Sequence, residues 1–237
     1  MSILIRLLLS AGCVLLSAHG AWAAGMVPET SVVIVNEADG EASISVRNDD
    51  PGPALLLVTL QNLPEDQEPL LFLTQPAWRV EAGQEQRVRF MLRAAAPLQT
   101  QRLKRVIFEG VPQRQDAGVY GARVGVSVRQ NLPVIIHPKG LAPNRSPWEG
   151  LQWHYHEQGV QVQNPTAYVV RLDQEVRLMP ANARGLLPRT YILPGESLDI
   201  RLESSARQDH QSIKLFPATV YGFAVDEFEA PLLRVGS

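Results

Sequence analysis

From about residue 31 onward the chain repeats one device. Short runs rich in Val, Ile and Leu are closed by Pro, Gly, Asn or Asp at intervals of about ten residues. A strand needs only five or six residues to cross a sandwich, and turn residues at that spacing reverse it each time. Helical periodicity, with apolar residues three and four apart, is scarce. The pattern therefore constrains the chain to an all-β class, and within it to sandwiches more than to open sheets.

The runs place the strands. "SVVIVNEADGEASISVRNDD" reads as a strand, a turn at Ala38-Asp39-Gly40, and a second strand with Ile44 and Val46 on one face. "PALLLVTLQNL" reads as a buried strand, and "AWRVEAGQEQRVRFML" as an extended segment, a turn at Gly83 and another strand. "RLKRVIFEGVP" follows, then a polar loop around "QRQDAG", then "GARVGVSVRQNLPVIIHPKG" over 121–140. In that last stretch Val124, Val126 and Val128 share one face, opposite Arg123, Gly125, Ser127 and Arg129. About six or seven strands by Pro138 are enough for one sandwich. "KGLAPNRSPWEG" lacks periodicity and reads as a linker; beyond it "LQWHYHEQ", "GVQVQNPTAYVVRLDQEVRLM", "RTYILPGESLDIRLE" and "QSIKLFPATVYGFAVDEFEAPLLRVG" repeat the style. The expected organisation is a first domain over 25–140, a linker over 141–150 and a second all-β domain over 151–237.

Residues 1–24 stand apart. One basic residue (Arg6), an apolar run to Leu16, and small residues at Ala21 and Ala23 form a secretory signal too short to span a bilayer, with cleavage expected after Ala23 or Ala24. A lipoprotein signal on Cys13 is the competing reading; its apolar stretch would be very short, with Ser10 where an aliphatic residue is usual. Cys13 is the single cysteine, so the mature chain is expected to rely on core burial without disulfides, as a periplasmic protein with no membrane-inserted segment. Of 22 basic residues one is Arg6, and the rest face 24 acidic residues, a balance that gives no reason to expect nucleic acid as a partner.

Catalytic constellations are not evident. There is no G-x-S-x-G elbow, phosphate loop or dinucleotide turn, and no cysteine in the mature chain, so neither an enzyme nor a cofactor is expected. His154 and His156 in "WHYH" would share a strand face and could grip a metal; without a third ligand nearby, a solvated face with Trp153 and Tyr155 turned inward is the plainer reading. "RLKR" at 102–105 offers a basic patch or, more simply, a strand carrying basic residues. Binding remains.

Several segments, in order along the mature chain, resemble the periplasmic chaperones of chaperone/usher pilus assembly. They are "VVIVN", "ASISVRNDD", "RVEAGQEQRVRF" at 79–90, "VIFEGVP" at 106–112 and "LPVIIHPKGL" at 132–141, then "VQNPTAYVV" at 162–170, "ILPGES" at 192–197 and "YGFAVDEFEA". The resemblance implies two immunoglobulin-like sandwiches in an L, a pilus or fimbrial subunit and an outer-membrane usher as partners, and donation of a strand to the subunit. It places Val124, Val126 and Val128 on the donated side chains. β-branched side chains lose little freedom on ordering, and such an edge left open predicts self-association or a cover, for which "VPQRQDAGVY" is the candidate. A secreted adhesive or structural sandwich and a metal-binding protein are the alternatives.

The chain departs from the family in its cleft. The Arg and Lys that hold the subunit's terminal carboxylate in better-known members correspond here to Val32 and Pro133. Arg89 and Lys104 become the candidate anchors; strand phase turns Lys104 inward with Val106 and Phe108, where a carboxylate would relieve its burial. The family's interdomain Glu–Arg–Asp set corresponds to Gln101, His137 and Asp226, which predicts a His137–Asp226 contact with the pH sensitivity of an imidazole.

Overall fold

The computed structural model describes residues 25–113, 128–156, 159–203, 210–219 and 222–234. The first domain contains β1 (Met26–Pro28), β2 (Val33–Asn36), β3 (Glu41–Asn48), β4 (Ala54–Gln61), β5 (Leu71–Leu73), β6 (Ala77–Val80), β7 (Glu85–Leu92), β8 (Arg102–Pro112) and β9 (Val128–His137). Their hydrogen-bonded order is β5-β7-β3-β2-β9-β8-β4-β6, with β1 beside β3. Alternation decides what each strand buries. Ile44 and Val46 of β3, Leu56 and Val58 of β4, Val88 and Phe90 of β7, and Val106 and Phe108 of β8 all enter one core. Both anticipated turns form, with Gly40 at φ 69° and Gly83 at φ 70°, a left-handed backbone that glycine adopts without a Cβ penalty.

One reading of the sequence needs correction. β4 is not buried on both faces: Ala54, Leu56 and Val58 point inward, but Leu55 is 41 % exposed. Its ladder neighbours are β8 and the short β6, so one of its faces is free of the first core.

The second domain contains β10 (Gln152–His156), β11 (Gly159–Gln163), β12 (Val170–Met179), β13 (Ala183–Leu186), β14 (Tyr191–Ile192), β15 (Ser197–Leu202), β16 (Ser212–Ala218) and β17 (Phe228–Arg234), in the order β13-β15-β11-β10-β17-β16-β12-β14. Trp153, Val162, Leu172, Val176, Leu178, Ile213 and Leu215 fill its core. A 3-10 turn, Pro147–Gly150, lies in the connection between the domains.

A third, smaller apolar cluster joins the two sandwiches. Val32, Leu63, Leu103 and Ile135 of the first domain pack with Val169 of the second, flanked by Ile34, Tyr191 and Leu193. Leu103 and Ile135 face each other across β8 and β9, on the side of the ladder opposite Val106 and Phe108. Because the side-chain period is two, the same pair of strands supplies one face to its own core and the other to the neighbouring domain. Truncating Leu103 to Ala is expected to cost about 2–5 kcal/mol and to separate the unfolding of the two domains. Scanning calorimetry checks this: one transition in the parent chain should resolve into two.

Candidate functional site

β9 has two halves with different surroundings. Its later half is enclosed: Val33–Asn36 of β2 pair in parallel with Val134–His137, while β8 pairs along the other edge. Leu132, just before that half, and Val134 and Ile136 within it enter the core. From Val128 to Pro133 the strand has, among the described residues, β8 on one side only, since the ladder with β2 begins at Val134. Near this open edge β1 turns instead to β3, and the described bond between β1 and β9 runs from Gln130 Nε2 to the Met26 carbonyl, 2.7 Å. Val128 shares the phase of Leu132 and Val134 but lies beyond the end of the core and is 42 % exposed. Val124 and Val126 lie outside the described residues.

The open edge runs into a cleft of about 830 Å³ between the domains, lined among others by Val32, Pro133, Arg105, Arg171 and Phe223. Arg105 on β8 stands directly across from Pro133 on β9. Its Nε donates to Asn131 Oδ1 at 2.7 Å and its Nη2 to the Asn131 carbonyl at 2.9 Å, which fixes the plane of the guanidinium. Arg171 enters from the second domain, on β12 opposite Tyr191. Its Nη1 is buried with no hydrogen-bond partner among the described residues. Burial, reinforced by the charge of Arg105, pushes the Arg171 guanidinium below its ordinary range, and burial lowers Arg105 as well.

The turn after β16 closes the cleft. Gly222, at φ 86°, lies so near the first domain that a Cβ there would sit 2.7 Å from Ser31 Oγ, 3.1 Å from Val32 Cγ2 and 3.5 Å from Arg171 Nη1. Only glycine admits that approach. Phe223 follows it at the rim and is 70 % exposed.

The cations expected to anchor a carboxylate are already partnered. Lys104 does point inward, 1 % exposed, and its carboxylate belongs to this chain: Nζ lies 2.9 Å from Asp66 Oδ1 and donates to the Asp66 carbonyl at 2.8 Å. Arg102 bonds the same carboxylate and Glu68. Arg89 pairs with Glu41 from the adjacent β3. Arg89 and Lys104 are not brought together, and "RLKR" is divided between two faces of β8 by the strand period.

The interdomain set also differs from expectation. Gln101, 5 % exposed, donates from Nε2 to His137 Nδ1 at 2.9 Å and accepts the Val169 amide on Oε1 at 2.9 Å. Its own amide donates to the Ala167 carbonyl at 2.8 Å. His137 Nε2 donates to the Leu141 carbonyl at 2.9 Å, so both ring nitrogens are engaged and no bond to Asp226 forms among the described residues. The Asn-Pro-Thr segment is held by Asn164, whose Nδ2 reaches the Tyr168 and Ile192 carbonyls at 2.8 and 3.2 Å. Tyr168 in turn donates to the Ala142 carbonyl at 2.6 Å. Trp153 is buried and Tyr155 packs against the second core; no group of three metal-ligating side chains occurs among the described residues.

The geometry has clear counterparts. Residues 25–142 match the family described as pili and flagellar-assembly chaperone, PapD N-terminal domain, and residues 146–227 match the pili assembly chaperone PapD, C-terminal domain. The uncharacterized fimbrial chaperone YhcA of Escherichia coli K12 is 42 % identical over 211 residues, covering 89 % of this chain and 92 % of that protein. Among solved structures, the SafB chaperone of Salmonella enterica, in complex with the SafA pilin, superposes with a TM-score of 0.72 at 20 % identity over 89 % of this chain and 98 % of that one. The E. coli chaperone DraB gives 0.70 at 20 % identity over 88 % and 99 %.

The Asp66 cluster makes a measurable claim. Burial alone would raise the Asp66 carboxyl, but hydrogen bonds from Arg102 and Lys104 and their charges hold it below its ordinary 3.8. A carboxylate depressed in the folded state contributes stability above its unfolded value and loses it as the pH falls through the folded one. Asp66→Ala is expected to cost about 3–5 kcal/mol at neutral pH, because Lys104 is left buried without its counter-charge. Adding Lys104→Met should recover most of that loss. Urea unfolding midpoints from pH 7 down to about 3 check both, and the difference between parent and Asp66→Ala should shrink below about pH 4.

Proposed function

Because the chain belongs to the pilus-assembly chaperone family, we propose that it holds a fimbrial subunit in the periplasm by lending β9 to the subunit's open sheet, and passes it to an outer-membrane usher. The observation that carries this is the half-paired edge of β9: from Val128 to Pro133 it offers backbone groups to a second strand on the side away from β8. Val128 lies past its own core and exposed, where a donated side chain has to be.

In this reading Val124, Val126 and Val128 fill the subunit's interior. Burying three valines contributes roughly 1.5–3 kcal/mol each before association entropy is subtracted. The pairing needs no cofactor and no bond-making step. The adhesive and metal-binding readings lack this support: the relative matching most of the chain is named a fimbrial chaperone, and a structural neighbour is held with a pilin.

The test replaces Val124, Val126 and Val128 together by Asp, in a cell producing a fimbrial subunit. Val128 is outside the core, so folding is expected to persist and is checked by thermal melting. Periplasmic subunit should fall by about tenfold or more, since each 1.4 kcal/mol of lost affinity is a factor of ten. A subunit that still accumulates undegraded and reaches the surface would overturn the proposal.

A further inference from the structure

The loop between β4 and β5 touches both domains with adjacent side chains. A turn from Leu63 to Asp66 closes with the Asp66 amide donating to the Leu63 carbonyl at 3.0 Å, and Asn62 Nδ2 donates to the Gln67 carbonyl at 3.0 Å. Leu63, 5 % exposed, joins the apolar cluster between the sandwiches. Asp66 is held on its own domain by Lys104 and Arg102 of β8. Glu65 reaches the other domain: its Oε1 lies 3.0 Å from Arg189 Nη1, and its Oε2 accepts from the Tyr191 hydroxyl at 3.2 Å.

The receiving side of that contact is itself braced. Arg189 also pairs with Glu196, and its guanidinium lies 4.8 Å from the centre of the Tyr191 ring. Burial, reinforced by the Glu65 charge, raises the Tyr191 hydroxyl above its ordinary 10.0 and so keeps it a donor to Glu65. Thr190, between Arg189 and Tyr191, lines the cleft, and its carbonyl accepts from the Leu172 amide at 3.1 Å. Tyr191 stands opposite Arg171, which lines the cleft too. One short segment of the second domain therefore forms a wall of the cleft and takes the grip of Glu65.

The pair is too exposed to be a main source of stability, with Glu65 and Arg189 side chains 29 % and 20 % accessible. What it fixes is direction. Apolar contact is non-directional and tolerates sliding, whereas a carboxylate held at each oxygen by a different donor admits one orientation.

We propose that Glu65, Arg189 and Tyr191 are positioning residues: with Asp66 anchoring the loop to β8, they form a strap that sets the angle between the domains and holds the cleft wall where a chain added to β9 arrives. This rests on the strand-addition reading only for what the cleft receives. The angle itself is measured without a subunit.

Cys13 is the single cysteine and precedes the described residues, so Ala82→Cys and Arg201→Cys give one exposed spin-label site on each domain of the full mature chain. Electron–electron double resonance then reads the interdomain distance. Glu65→Ala and Arg189→Met should each broaden the distance distribution, Tyr191→Phe by less, and the two together no more than either alone. Glu65→Ala should melt within about 4 °C of the parent. The sharper variant is Asp66→Ala/Lys104→Met, in which stability is largely regained but the loop is untied from β8; its distribution should stay broad. A merely structural cluster would return to the parent distribution together with the stability. In cells, Glu65→Ala should lower the periplasmic level of the subunit co-produced for the valine test by about threefold.

An unchanged distribution in Glu65→Ala and in Asp66→Ala/Lys104→Met would overturn the strap. So would a broadened one with the subunit at its parent level, where the valine variant loses that subunit. If the valine variant keeps the subunit while Glu65→Ala broadens the distribution, strand addition falls and the strap stands on the distances.

Discussion

The joint at Gln101 is the constraint on which the rest of the molecule depends. A single buried amide side chain bonds His137 at the end of β9 and the backbone of Val169 in the second domain, while its own N–H bonds Ala167. Around it Val32, Leu103, Ile135 and Val169 form an apolar contact between the sandwiches. Buried polar groups are costly unless satisfied, so the amide is stable in that place only while both domains hold their positions. The cleft, with Arg105 from one side and Arg171 from the other, exists because this joint fixes where the two domains meet. The Asn164 turn belongs to the same device, since it shapes the segment from Thr166 to Val169 that receives Gln101.

β9 serves two structures along one strand. Leu132, Val134 and Ile136 complete the first domain's core, Ile135 completes the contact with the second, and Val128 leaves the core behind. The strand keeps its period while its neighbours among the described residues change, from β8 and β2 together to β8 alone.

Much of this was legible in the sequence, for a physical reason. Strands declare themselves locally, through alternation and turn residues, so the runs at 41–48, 85–92 and 102–112 and the turns at Gly40 and Gly83 could be read without tertiary knowledge. Phase alone also turned Lys104 inward. Its partner Asp66 could not be read, because it lies in the loop between β4 and β5, and nothing in the local pattern links that loop to β8. The His137–Asp226 expectation failed similarly: the imidazole finds Gln101 and the Leu141 carbonyl nearer at hand. Arg171 carried a faint signal, as a cation between the core residues Val170 and Leu172 and therefore on the face of β12 turned away from that core. Arg105 carried less, since "RLKR" conceals that consecutive residues face opposite ways. Sites formed from two domains have no local signature.

The takeover of the β9 edge by β2 at Val134 has a consequence for measurement in the literal sense. A groove stopped at one end is a ruler: whatever lies along it is counted from its own tip. If a chain is added along that edge as proposed, one residue gained or lost near its tip would turn its apolar side outward along its whole length, so the stop would select by where a chain finishes as well as by what it contains.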